Sequence, residues 1–330
     1  MAGAHAGGAE LFYERLTSAL HRAGETVLPV IRRNASRAAR LRGCGLEPVQ
    51  LRFGGLLDPL TRPRLGRLLR RFEPRLVVAW MNRAAAATPR GPWVKVGRLG
   101  GYYDLRYYRG CDHLIGNTAG IVAWIRDQGW PADRVHQLAN FAPDLLGAAP
   151  AAMPGTPTVL ALGRLHRNKA FDVLIRAAAT LPDIHVMIAG EGPERPALER
   201  LARDLGVAGR VHLTGWRDDQ AALLAGCDLL VCPSRHEPLG NVVIEAFSAA
   251  RPIVAAAAAG PRELIDQGRT GLLVPLDDPA ALAAAIATVL RDHALANSLA
   301  AAGRTEFLAR HAEASVVQRW REALAAMAPS

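Results

Sequence analysis

From residue 158 onward, apolar runs of strand length alternate with segments whose apolar residues recur at helical spacing. TVLALGR (158–164) reads as a strand and FDVLIRAAATL (171–181) as an amphipathic helix. DIHVMIAGEG (183–192) is a strand running into glycines, followed by a helix over PERPALERLARDLG. RVHLTG (210–215), DLLVCPS (228–234), PIVAAAA (252–258) and GLLVPL (271–276) add four strands, with helices at DQAALLAGC and VVIEAFSAA among them. The first half repeats the habit, with strands expected at ETVLPVIR (25–32), PVQLRF (48–53), PRLVVAWM (74–81), WVKVGRL (93–99) and DHLIGNT (112–118). Such alternation predicts an α/β chain with doubly wound parallel sheets. Between the halves, NFAPDLLGAAPAAMPGTPT (140–158) has the Pro, Gly and Ala density of a linker. Two Rossmann-like domains are therefore expected, at 1–145 and 156–310, around a cleft.

Composition narrows the function classes. With 330 residues and 50% hydrophobic content, the chain can build two cores and is not a disordered polymer. No apolar run approaches the roughly 20 residues that span a bilayer, and MAGAHAGGAE shows neither the basic nor the apolar region of a secretory signal. Cys44, Cys111, Cys227 and Cys232 are scattered without metal-ligand spacing. The expectation is a cytoplasmic protein with reduced thiols and no metal.

Charge is unevenly placed. Residues 1–150 hold 22 basic and 11 acidic side chains, whereas residues 151–330 hold 18 and 19. Only Lys95 and Lys169 are lysines; the other 38 cations are arginines, a coding habit that makes the arginine count itself uninformative. LTRPRLGRLLRRFEPR (60–75) can form a helix with Leu65, Leu68, Leu69 and Phe72 inward and Arg64, Arg67, Arg70, Arg71 and Arg75 outward. It suits either an ordinary solvated face or contact with an anionic leaflet.

Two stretches carry candidate chemistry. GRLHRNKAFDVLIRA (163–177) places Arg164 and Lys169 on the loop after a strand and ahead of a helix. Loops at the carboxyl ends of parallel strands line ligand crevices, and cations there suit a phosphate as well as a solvated surface. EPLGNVVIEAFSAARP (237–252) supplies Glu237 and Glu245, with Leu239, Gly240 and Asn241 opening a helix whose amides can face a phosphate. Glu245 stands alone among Val242, Val243, Ile244, Ala246 and Phe247. Even a neutral polar group buried without a partner costs roughly 2–7 kcal/mol, so Glu245 needs an arginine at a helix edge or hydrogen-bond donors at a cleft. GEGPER (190–195) departs from the dinucleotide fingerprint at its third glycine.

GRLHRNKAFDVLIRA, IAGEGPE (188–194), VHLTGW (211–216), the E-x7-E span Glu237–Glu245 and PIVAAAAAGPRELIDQGRTGLLVP (252–275) together resemble the C-terminal domain of retaining GT-B glycosyltransferases of family 4, the "glycosyl transferases group 1" superfamily. The similarity is specific over about 156–310. It implies a hexosyltransferase-type enzyme that takes a nucleotide-diphosphate sugar as donor. Arg164 and Lys169 would hold the diphosphate, Glu245 would accept hydrogen bonds from the ribose hydroxyls, and Glu237 would lie beside the donor sugar. Those two hydroxyls would satisfy the buried carboxylate. No DxD is present, so fixed cations and helix dipoles would stabilise the leaving group without a metal or cofactor.

The first half resembles the family more loosely. AGGAELFYERLTSALHRAG (6–24) looks like its glycine turn and first helix, with Gly7 and Gly8 near the donor phosphates, but no strand-length apolar run precedes it. Either the first domain lacks its first strand, or the native chain begins upstream of Met1. Many members carry a His after the strand matching WVKVGRL; this chain has Arg98, then Leu99, Gly100, Gly101, Tyr102 and Tyr103. Arg98, Tyr102 and Tyr103 are the acceptor-side candidates, and His113 reads as structural. The last helix, 311–330, is expected to return to the first domain.

The acceptor expected for this charge pattern is an anionic or lipid-linked envelope glycan, such as lipopolysaccharide, reached by a peripheral contact of the basic domain with the inner membrane. Two rivals remain. A sugar-nucleotide epimerase of the same fold would need no acceptor. A basic nucleic-acid-binding protein would shift DNA in a salt-dependent way without binding sugar nucleotides, but interleaved aromatics are lacking.

Overall fold

The computed structural model describes residues 1–3, 7–54 and 58–328. The chain forms two compact units, Met1–Phe141 with Glu313–Ser330 and Ala142–Ala312.

In the second unit six parallel strands form one sheet. They are β7 (Thr158–Leu162), β8 (His185–Ala189), β9 (Val211–Gly215), β10 (Leu229–Cys232), β11 (Ile253–Ala256) and β12 (Leu272–Val274), in the order β12-β11-β10-β7-β8-β9. Strand order reverses between β7 and β10, which opens a crevice at their carboxyl ends. The middle strands are buried except for half-buried Leu162 at the end of β7, as a sheet covered by helices on both faces requires. One face packs under helices Phe171–Ala179 and Pro279–Arg291, through Val159, Leu174, Val231, Val254 and Ile286. The other packs under helix Asn241–Ser248, through Leu160, Leu230, Ile244 and Phe247.

From Ala142 onward the expected linker belongs to this unit. Ser248 Oγ accepts from Leu145 N at 2.9 Å and donates to Pro143 O at 2.5 Å, while Arg304 binds both Asp144 oxygens at 2.7 and 2.6 Å. Ala151 N donates to Ala222 O at 2.9 Å. Its Pro and Gly content shapes an irregular strap rather than a free tether.

The first unit contains two separate parallel sheets: β1 (Val30–Arg32) with β2 (Val49–Leu51), and β3 (Leu76–Trp80), β4 (Val94–Leu99), β5 (His113–Gly116) and β6 (Val135–Gln137) in chain order. Among the described residues no strand lies between β1 and β3. Helix Gly8–Arg22 packs Phe12, Tyr13 and Leu16 into a core with Trp80 and Phe141. Helix Glu313–Met327 joins that core: Trp320 stacks on Trp80 with ring centroids 6.1 Å apart, and Arg22 and Arg321 pair with Glu313 and Glu25. Helix Thr61–Phe72 buries Leu65 and Leu69, leaving Leu68 and Phe72 half-buried and its arginines exposed. No helix among the described residues is long and apolar enough to cross a membrane.

Candidate active site

The crevice of the second unit begins with glycine. The loops after β7 and β8 lie backbone on backbone: Leu165 N donates to Glu191 O at 2.9 Å, and Glu194 N to Leu165 O at 3.1 Å. A Cβ on Gly190 would stand 1.8 Å from the Gly163 carbonyl oxygen, and one on Gly192 2.3 Å from that of Leu165. The glycines of GEGPER therefore serve close packing of these loops. Arg164 leaves the first loop exposed, and no described carboxylate pairs with it.

Lys169 ends a short 3-10 turn, Arg167–Lys169, just before helix Phe171–Ala179. Its Nζ donates to Glu237 Oε2, which also accepts from Ser234 Oγ at 3.5 Å. Burial opposes the Lys169 charge, but Glu237 outweighs it, so the ammonium pKa is raised. This pair joins the loops after β7 and β10.

A residue that sequence reasoning missed holds those loops in register. Arg235 donates through Nη1 and Nη2 to Asp172 Oδ1 and Oδ2 at 2.8 and 2.7 Å, through Nη1 to Arg167 O at 3.0 Å, and through Nε to Asp277. Its backbone N–H and that of His236 donate to Asn168 O at 2.9 and 3.3 Å. The Asp172 hydrogen bonds raise the Arg235 pKa; burial opposes ionisation of Asp172, but Arg235 overcomes it and lowers that pKa. In PSRHEP the arginine looked like any other in an arginine-rich chain.

Beyond Glu237, Leu239 is buried and Gly240 adopts φ 89°, a left-handed conformation that opens helix Asn241–Ser248. Gly260 presses on this turn, where a Cβ would lie 2.2 Å from Leu239 O, and its N–H donates to Glu237 O at 2.8 Å. Glu245 is 7% exposed and accepts from Gln220 Nε2 at 2.5 Å. Thus the lone carboxylate of VVIEAF meets a donor from helix Gln220–Gly226. Its field also favours the Lys169 charge. Just after β9, Trp216 stands 68% exposed, its Nε1 donating to Asp218 Oδ1 at 2.8 Å. Gln220 and Trp216 were not singled out from sequence; an exposed indole behind a strand-end glycine was the available signal.

This arrangement brings Arg164, Lys169, Glu237, Leu239, Gly240, Asn241 and Glu245 to one sheet edge. Of the first-unit candidates, Gly7 and Gly8 form the N-cap and first residue of helix Gly8–Arg22. Arg98 is 1% exposed, with its guanidinium 4.7 Å from the Trp80 ring centroid and 5.5 Å from that of Phe12, and it donates to Asn140 Oδ1 at 2.7 Å. Burial lowers its pKa to about 10, so it stays charged at neutral pH. Tyr103 is half-buried, whereas Tyr102 is exposed and packs edge-on against Trp124. His113 bonds His136 across β5 and β6, Nδ1 to Nε2 at 3.0 Å. No cluster of three or more His, Cys, Asp or Glu side chains among the described residues could hold a metal.

The profile of the family described as "Glycosyl transferases group 1" matches residues 156–292. The lipopolysaccharide core biosynthesis glycosyltransferase LpsE of Rhizobium meliloti (strain 1021) is 33% identical over 333 residues, spanning 97% of this chain and 96% of the relative. The chain belongs to the group 1 glycosyltransferases. LpsD of the same organism, also a lipopolysaccharide core biosynthesis glycosyltransferase, is 34% identical over 95% of this chain and 94% of its own. The crystal structure of Anabaena HepE in complex with UDP superposes with a TM-score of 0.85 at 21% identity, over 98% of both chains, which gives this glycosyltransferase its GT-B fold.

Proposed function

We propose that this glycosyltransferase takes its sugar from a nucleoside diphosphate sugar held at the carboxyl ends of β7 and β10. Arg164 and Lys169 would bind the diphosphate, the amides around Gly240 and Asn241 would support it, Glu245 would accept from the ribose hydroxyls, and Glu237 would lie beside the sugar. The observation that carries the reading is the crevice-edge set of exposed Arg164, half-buried Lys169 on Glu237, and buried Glu245.

The chemistry follows from charge development. As the bond from the anomeric carbon to the diphosphate oxygen breaks, negative charge accumulates on the leaving group. Cations fixed beforehand stabilise that charge without reorganising during the step. The Lys169 ammonium, already oriented by Glu237, and the exposed Arg164 guanidinium suit this role without a divalent ion. The resemblance of the Glu237–Glu245 span to retaining enzymes supports retention of anomeric configuration.

The acceptor in this reading is an anionic envelope glycan of the lipopolysaccharide core type; LpsE and LpsD are named as lipopolysaccharide core biosynthesis glycosyltransferases, which supports it. The 22 basic against 11 acidic residues of positions 1–150 support an anionic partner. The exposed Arg62, Arg64, Arg67, Arg70 and Arg71 of helix Thr61–Phe72 would favour the cytoplasmic face of an anionic membrane, at about 1 kcal/mol per arginine. The test is a transfer assay in excess EDTA with the product's anomeric proton read by NMR. Turnover should persist and the donor configuration should be kept. Activity that is lost in EDTA and restored by Mg²⁺ or Mn²⁺, or an inverted product, would contradict the reading.

A further inference from the structure

At the carboxyl ends of β1 and β2 the first unit opens a cavity of about 470 Å³. Its lining includes Arg32, Arg33, Arg37 and Arg52 and, among the described residues, no carboxylate. Strand register explains the placement. β1 ends at Arg32, which lies opposite Leu51 at the end of β2. Arg33 and Arg52 are the next residues on the two chains, and Arg33 N still donates to Leu51 O at 3.0 Å. Neighbouring strands run about 4.8 Å apart, so both chains bring an arginine to the same mouth.

The charge there is not compensated. Arg32, Arg33 and Arg52 are exposed, and no described carboxylate pairs with any of them. Two carboxylates reach the wall, and both are committed. Glu14 accepts from Arg37 Nε at 2.8 Å and from Arg40 Nε and Nη2 at 2.6 and 2.9 Å, one anion between two guanidiniums. Asp58 accepts from Gly54 N at 2.9 Å and from Thr61 N and Oγ1 at 3.1 and 2.5 Å. Like charges set side by side on two strands destabilise a sheet, a cost that a bound anion would offset.

The wall is also braced. Asn34 Oδ1 accepts from Arg37 N at 2.9 Å and caps helix Ala35–Gly43, while Asn34 N donates to Gln50 Oε1 at 3.0 Å. The ends of both strands and the start of the helix are thereby fixed to one another. Such a recess fits a compact oxyanion. The exposed arginine row of helix Thr61–Phe72, by contrast, presents an open face.

We propose that this cavity binds a phosphoryl group carried by the acceptor glycan, with Arg33 and Arg52 as forked donors and Arg32 beside them. That the anion belongs to the acceptor rests on the reading above; the site itself does not. A guanidinium can donate two parallel hydrogen bonds to two oxygens of one phosphate. A dianionic phosphoryl group offers three such oxygens to three guanidiniums, whereas a single carboxylate has only two. The acceptor is thus held by its charge and not by its reacting hydroxyl, so the site selects which glycans bind and takes no part in making the bond.

The test titrates glucose 6-phosphate, with glucose as the uncharged control, into the Arg164→Ala/Lys169→Ala protein, whose donor-side cations are gone. Calorimetry should show binding of the sugar phosphate alone, weakening as salt rises. Adding Arg33→Ala/Arg52→Ala should weaken it at least ~10-fold, as the loss of charge-assisted hydrogen bonds implies, without lowering the melting temperature. In the otherwise wild-type protein, lipopolysaccharide core oligosaccharide should bind more tightly before phosphatase treatment than after it. Arg33→Ala/Arg52→Ala should erase that difference and keep the thermal shift given by the nucleotide-sugar donor. Sugar-phosphate affinity unchanged by Arg33→Ala/Arg52→Ala would overturn the inference. So would loss of the donor's thermal shift in that variant, which assigns the cavity to the donor. Loss of binding to phosphatidylglycerol vesicles with sugar-phosphate affinity intact would overturn it too, making the cavity a membrane contact. A wild type that responds to no donor, yet binds glucose 6-phosphate through Arg33 and Arg52, would sink the donor assignment and leave this site standing.

Discussion

Glu245 shows how much a single residue can say. A carboxylate inside VVIEAF demands donors, and Gln220 provides one at 2.5 Å. The sequence could announce the need but not the donor, because Gln220 lies 25 residues away on another helix. In the proposed complex Glu245 also accepts from two ribose hydroxyls. Glu245→Gln should therefore weaken donor binding by about 1.5–3 kcal/mol, the scale of a hydrogen bond to a charged group. Calorimetric titration checks this, with a 2′,3′-dideoxyribose donor as control: wild type and variant should bind that donor alike. Equal losses for both donors would remove Glu245 from the ribose. The two lysines make a similar contrast. Lys169 faces Glu237, whereas Lys95 is buried and caps a helix end, its Nζ donating to Ala85 O and Thr88 O at 2.7 and 2.9 Å. Scarcity drew attention to lysine; only three-dimensional position separates the two.

At the scale of elements, the Arg235 staple gives the loops after β7 and β10 one shared geometry. Arg235→Ala should leave the protein folded, since the Asp172 pair is partly exposed and such pairs contribute modestly. It should nevertheless lower kcat/KM at least ~10-fold by releasing Lys169 from Glu237. Arg235→Lys should rescue little, because an ammonium cannot make the two-pronged contact with Asp172. Steady-state kinetics with melting curves check this; undiminished kcat/KM in Arg235→Ala would show the staple to be dispensable. The inner strands β7, β8, β10 and β11 were legible as continuous apolar runs because burial on both faces leaves little else to write. β6 was not: Val135–Gln137 has three residues, too few to display a period. Residues 25–29 carry strand composition, yet the strand is confined to Val30–Arg32. The strap at 142–155 looked like a linker because its contacts run through backbone groups and single polar side chains such as Ser248 and Asp144.

For the whole molecule, charge and proton uptake are the global properties. The basic excess confined to residues 1–150 was fully legible, being a count. Stability against pH was not, because it depends on which histidines are buried. Desolvation is the largest cause lowering the pKa of His113, His136 and His212. The unfolded chain then binds more protons below about pH 6.5, so this contribution is present above that pH and lost as pH falls. The melting temperature should drop between pH 7.5 and 5.5, and His113→Leu/His136→Leu should shrink the drop; an unchanged drop would exclude that pair as a cause. The donor assignment is tested most directly by thermal shift with UDP-, GDP- and ADP-sugars on wild type and the Arg164→Ala/Lys169→Ala variant. A donor at 100 times its Kd stabilises its site by about 2.7 kcal/mol, or roughly 5–10 °C for a unit of this size. One nucleotide class should raise the wild-type melting temperature by that amount. The variant, folded but deprived of two charge-assisted contacts, should show almost no shift at the same concentration. A wild type that responds to no donor, or a variant that keeps the full shift, would contradict a nucleoside diphosphate held by Arg164 and Lys169.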